Sequence, residues 1–250
     1  MTPTITLFGG GAGFGLPEVS PFATKTEVQL KMAGLPFTKE QAMPDASPKG
    51  QLPFISDGGT LIADSTFIRA HIEKTYGIDL DEGLDARQRA EAWAIERMIE
   101  NHFAWTTAHV RWLTPENFAK GPAMFFRELP PEMQEDLRKQ IQHEIAGNIR
   151  AVGVGRHSEA EILGLGVRSL AALSALLGDQ AFMMGERPTG VDAIAFGVLS
   201  GLMTPFFDAP IRDRAMRFDN LVAYVDRMMA GVYPDHRWTP LFRAPEAVAA

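Results

Sequence analysis

Apolar and polar positions follow two different periods along this chain, and the change falls near residue 80. Residues 4–8 alternate every second position and are rich in β-prone types, which predicts a first strand. A glycine run, Gly9-Gly10-Gly11-Ala12-Gly13-Phe14-Gly15, follows as a loop. Residues 21–33 then read as a helix, with Pro21 in its first turn and Gly34 as its stop. Residues 37–41 predict a second strand. The short apolar runs 53–56 and 60–62, separated by Asp57-Gly58-Gly59, predict a hairpin. A helix over 65–76 stopped by Gly77 completes a β-α-β, β-β-α order.

Beyond residue 84 the period is helical throughout. Ala90, Ala94, Met98, Trp105, Ala108 and Trp112 suggest one stripe of a long helix. Further helices are expected over 130–151, from Ser158 to Gly178, over 193–203 and over 220–232. Leu163, Val167, Leu170, Leu173 and Leu177 form the stripe of the second of these. Ser158 with Glu161, and Thr189 with Asp192, have capping-box spacing. The predicted boundary lies at 77–84, giving domains at 1–78 and 85–250.

Composition narrows the chemistry. Of 250 residues, 46% are hydrophobic, enough for a sizeable core, and the net charge of −7 offers no basic face for nucleic acid. No anionic membrane partner is expected either. The run 193–207 is broken by Pro205 and too short to cross a bilayer. No basic region precedes the first apolar residues, so no secretory leader is expected and a cytoplasmic location is the default. There is no cysteine, which excludes disulfides and thiolate catalysis by the chain itself. The six histidines form no His-x-x-x-His pair, and no metal site is predicted. The glycine run lacks the Gly-x-Gly-x-x-Gly register and a following Lys-Ser or Lys-Thr, so it predicts a flexible connector and not a phosphate cradle.

Two features point to a ligand. Pro53 opens an apolar strand, a position compatible with a cis bond that leaves the preceding backbone free to pair. Asp64 and Ser65 open the next helix, where unpaired N–H groups attract a carboxylate.

On these residues the first region resembles the thioredoxin-like domain of glutathione transferases. "QLP" is similar to the family's cis-proline turn and "ADS" to its γ-glutamyl pocket. "GERPTGVDAIAFGVL" resembles the capping-box helix of the family's second domain. "SPFATKTEVQLKMAGLPF", "GVGRHSEAEI" and "FDNLVAYVDRM" are similar to the branch holding failed-axon-connections and metaxin-like proteins and their bacterial relatives. The resemblance implies an α/β thioredoxin-like domain followed by an all-α helical bundle. It implies glutathione as co-substrate, a small hydrophobic electrophile and a homodimer.

Branches of the family meet the glutathione sulfur with tyrosine, serine or cysteine. Cysteine is absent, the first tyrosine is Tyr76, and Phe8 ends the first strand where a tyrosine type carries its phenol. Ser20, in a tau-class-like Ser-Pro-Phe, and Thr24 remain as candidates. By resemblance, Leu52 beside Pro53 would pair with the cysteinyl unit. Asp64 and Ser65 would hold the γ-glutamyl end, and Gln51, Lys39 or Lys49 would face the glycine carboxylate. The electrophile would lie between the domains near Trp105, His109 and Trp112. A non-catalytic adaptor and a glutathione-dependent isomerase or lyase stay open as alternatives.

Overall fold

The computed structural model describes residues 4–241; the first three residues, on which the leader reading partly rests, and the last nine lie outside the described residues. The strands are β1 (Ile5–Gly9), β2 (Phe37–Gln41), β3 (Phe54–Asp57) and β4 (Thr60–Ala63), and they form one sheet in the order β2-β1-β3-β4. β1 runs parallel to β2 and antiparallel to β3, with Phe8 opposite Phe54. Parallel pairing demands a crossover, which α1 (Pro21–Met32) supplies, and the β3–β4 hairpin leads into α2 (Ser65–Tyr76). Ile5, Leu7, Leu30, Ile55, Ile68 and Ile72 close a small core between sheet and helices. Each of these elements matches a predicted one to within a residue or two.

The remainder is helical: α3 (Ala86–Met98), α4 (Ala104–Leu113), α5 (Pro115–Lys120), α6 (Pro131–Ala151), α7 (Glu159–Leu177), α8 (Gly190–Met203), α9 (Pro210–Ala215) and α10 (Asp219–Val232). The predicted long helix after residue 84 is not continuous. A π-turn, Ile99–Phe103, separates α3 from α4. Its buried stripe is also different: Ala90 and Ala94 are exposed, whereas Ala92, Ile95, Ile99 and Phe103 face the core. Alanines at a four-residue spacing carry little transfer energy, so the larger Ile and Phe side chains set the buried face. α5 and α9 are too short to leave a periodic signal.

α8 is the central post, with all but one of its residues buried. Its cap is a polar knot. Asp192 accepts from the Thr189 N–H at 2.8 Å, the Met183 N–H at 2.8 Å and the Tyr224 hydroxyl at 3.0 Å. Burial raises the Asp192 pKa against the pull of these donors. The predicted box at Ser158 and Glu161 is formed too, at the start of α7. By length and apolarity α7 meets the measure of a bilayer span, which the reading of 193–207 passes over. Its Leu170, Leu173 and Leu177 lie in the main core.

Ion pairs join the two regions. Lys25 of α1 is fully buried between Glu96 at 3.0 Å and Glu100 at 2.7 Å, and Arg97 bridges the same two carboxylates. Arg69 of α2 pairs with Asp81 at 2.6 Å, and Asp81 also accepts from the Gly190 N–H at the start of α8. α1 therefore packs against the sheet on one side and the helical bundle on the other.

Candidate functional site

Ser20 is the N-cap of α1. Its backbone is extended, Pro21 follows, and its Oγ accepts a long 3.4 Å bond from the Ala23 N–H. The hydroxyl proton has no acceptor among the described residues and is available to an incoming atom. Thr24 is different. It is buried, and its hydroxyl donates to the Ser20 carbonyl at 3.0 Å, back along its own helix. The structure thus turns Ser20 outward and Thr24 inward.

The Leu52–Pro53 bond is cis. The Pro53 carbonyl accepts from the Asp64 N–H, which ties this turn to the start of α2. No protein group among the described residues bonds the Leu52 N–H or carbonyl. Asp64 sits at φ 80° as the N-cap of α2 and accepts from the Thr66 N–H at 2.9 Å. Ser65 beside it is buried and Gln51 is exposed. Lys49 lies over the Phe67 ring at 3.9 Å, at this end of the domain. Lys39 is spoken for: it meets Glu27 at 2.6 Å and Glu18 at 3.2 Å. The structure therefore withdraws Lys39 from the carboxylate-facing role and leaves Gln51 and Lys49.

The glycine run is not the flexible connector that its composition predicts. It is wrapped on Glu18, which is almost fully buried and accepts from the N–H groups of Gly10, Gly11 and Ser20, each at 3.1 Å. Burial raises the Glu18 pKa, opposed first by the Lys39 ammonium. At Gly11, φ is +81°, and a Cβ would strike the Gln41 side chain. Beyond it, Gly13 and Leu16 pair as a two-residue hairpin whose central residues, Phe14 and Gly15, both have positive φ. A phenylalanine at φ 58° costs about 1–2 kcal/mol.

What offsets that cost is the Phe14 ring. It packs within 5.0 Å of Phe206 and of Phe207 and 5.6 Å of Phe125, centroid to centroid. The Thr204 hydroxyl donates to the Phe14 carbonyl at 2.6 Å, and the His236 ring meets the Gly15 carbonyl at 3.0 Å. Arg111 of α4 donates to the carbonyls of Val19 at 2.8 Å and Gly201 at 3.2 Å. It lies over the rings of Phe14 and Phe207, and enclosure lowers its pKa to about 10.

The three residues expected to line an electrophile site are not gathered around this hairpin. Trp105 packs away from the site with Ile149, Val154 and Ile162. Burial lowers the His109 pKa, opposed by the charge of Glu159. Only Trp112 is near, one ring removed from Phe14 through Phe125. The spacing of aromatics on a helix cannot tell which side faces a neighbour when every side is partly apolar. Phe14, Glu18, Arg111, Thr204, Phe206 and Phe207 carried no sequence signal beyond their apolar or charged character.

A small mixed sheet with a cis-proline turn, joined to a helical bundle through α1, defines the glutathione transferase fold. The structure superposes on the β-etherase LigF of Sphingobium sp. strain SYK-6 with a TM-score of 0.65 over 91% of this chain and 95% of that one, at 20% identity. Residues 21–117 match the glutathione S-transferase N-terminal domain and residues 166–228 the glutathione S-transferase C-terminal domain. The chain is 31% identical over 203 residues to the isoprene-epoxide–glutathione S-transferase of Rhodococcus sp. strain AD45, covering 78% of this chain and 85% of the relative. It is 33% identical over 88% of its length to failed axon connections of Drosophila melanogaster, of which it spans 56%. The chain belongs to the glutathione transferase family.

Proposed function

We propose that this chain transfers glutathione to a small apolar electrophile, and that the Ser20 hydroxyl stabilises the thiolate. The observation that carries the reading is the Ser20 hydroxyl, the one candidate whose proton is unspent, at the positive end of α1. The unbonded Leu52 amide groups and the amino end of α2 at Asp64 and Ser65 fit a γ-glutamyl tripeptide. The epoxide substrate in the Rhodococcus relative's name makes a small epoxide the first electrophile to try.

A free thiol loses its proton near pH ~8.5, and each unit of lowering multiplies the thiolate at neutral pH about tenfold. One hydrogen bond from Ser20 to the charged sulfur contributes about one to two such units. Ser20→Ala is therefore expected to cut kcat/KM for an epoxide or aryl halide by about ten- to hundredfold with little change in glutathione affinity. Thr24→Val is expected to stay within about threefold of the unmodified chain. Equal losses in the two variants would sink the assignment.

A second reading, a binding protein that retains the fold, is favoured by one observation: the Phe14 ring already occupies space between the loop and the helical domain. Calorimetry with glutathione at millimolar concentration separates the two, since the binding-protein reading expects no heat.

A further inference from the structure

Arg111 is a cation without an anion. Among the described residues no carboxylate lies within 4.0 Å of it, and its partners are two backbone carbonyls and two aromatic faces. An enclosed guanidinium normally takes a carboxylate, because an uncompensated charge is costly to desolvate. The lysine buried deeper in this same chain, Lys25, has two. One of the carbonyls that Arg111 chooses belongs to Val19, the residue before the cap.

The Val19–Ser20 peptide unit is held at both ends. Its oxygen accepts from the Arg111 Nη1 at 2.8 Å, and its N–H donates to the Glu18 Oε1 at 3.1 Å. A cation on the oxygen and an anion on the nitrogen fix the plane of the peptide from which the Ser20 side chain leaves. The two charges do not cancel equally at the cap. Glu18 and Glu27 share Lys39, at 3.2 and 2.6 Å, and Glu27 also meets Lys31 at 3.2 Å, so these two carboxylates are matched by two ammonium groups, whereas no carboxylate among the described residues lies within 4.0 Å of Arg111. The net field added to the amino end of α1 is therefore positive.

We infer that Arg111, reaching from the helical domain, is a positioning residue for the thiol-activating cap: it orients Ser20 through the Val19 carbonyl and supplies an unneutralised positive charge that favours a thiolate there. The role deepens, and rests on, the reading that Ser20 meets the glutathione sulfur. It also gives the helical domain a direct hand in chemistry that takes place on the thioredoxin-like domain. The charged and titratable groups around the cap are Glu18 from the loop, Lys39 from β2, Glu27 and Lys31 from α1, Tyr233 after α10 and Arg111 from α4.

The absence of cysteine makes the field measurable. Ser20→Cys places a single thiol at the cap, and the pH dependence of its alkylation by iodoacetamide reports its pKa in the full chain with no tripeptide present. The pKa is expected below the free value of ~8.5. Adding Arg111→Gln, which keeps an amide donor and removes the charge, is expected to raise it by about one unit, a tenfold change in thiolate. Adding Arg111→Lys is expected to leave it within a few tenths of a unit. Arg111→Met serves as a second neutral replacement if Arg111→Gln does not fold. An unchanged pKa in a folded neutral variant overturns the inference. So does collapse of both neutral variants while Arg111→Lys folds, since that outcome makes the guanidinium structural only. Failure of the functional reading shows separately, as the absence of glutathione binding by the unmodified chain.

Discussion

At the scale of single residues, the element ends that carry the candidate site residues were legible, and the buried charges beside them were not. Ser20 could be placed at a helix start because Pro21 follows it and proline's missing N–H is harmless there. Asp64, Ser65 and Pro53 were legible for similar reasons, each standing at the edge of an element. Glu18 was not, because its partners are backbone N–H groups of the glycine run, which no side-chain pattern encodes. Its burial has a measurable consequence. A carboxyl whose folded pKa lies above its unfolded value binds its proton more tightly in the folded chain. Its contribution to stability is full below the unfolded pKa near 4.5 and is lost as pH rises through the folded value. Relative to Glu18→Gln, the unmodified chain should therefore lose stability as pH rises from about 4.5 through the folded pKa, as read by urea unfolding at stepped pH. A difference that does not vary with pH would contradict this account of Glu18.

At the scale of elements, capping signals held better than long-range periodicity. The boxes at Ser158 and Thr189 use fixed three-residue geometry and formed as read. The stripe through α3 and the π-turn went wrong because two of its buried positions, Glu96 and Glu100, are charged, and their burial depends on Lys25, 71 and 75 residues away. No local window holds that partner. The packing of α8 on α1 is equally non-local, and it bears on the site. A Cβ on Gly197 would lie 2.6 Å from the Pro21 carbonyl oxygen, a backbone atom one residue from the cap. Gly197→Ala is expected to destabilise by about 1–3 kcal/mol, measured by thermal unfolding. It should also lower transferase activity by more than the unfolded fraction accounts for, because the displaced atom belongs to the first turn of α1. A variant as stable and active as the unmodified chain would mean that the helices are free to part.

At the scale of the molecule, fold class and the two-region order were readable because period two gives way to period 3.6 near residue 80. How the regions meet was not readable, because the Phe14 hairpin joins them through side chains drawn from positions 111, 125, 204, 206 and 207. Phe14→Ala removes the ring that offsets a left-handed backbone. It is expected to cost about 3 kcal/mol and to lower Tm by several degrees. Under the transferase reading it also opens room, so kcat/KM for a two-ring electrophile should rise relative to a one-ring analogue. A fall in both rates by the same factor would place the ring outside the acceptor space.

The buried lysine of α1 sets a limit on modular engineering. Grafting the first 84 residues onto another homologous chain, or expressing them alone, would strand an ammonium group on a surface built to be covered, unless Glu96 and Glu100 travel with it. Any working chimaera of this protein must place its crossover beyond the π-turn, not at the apparent linker.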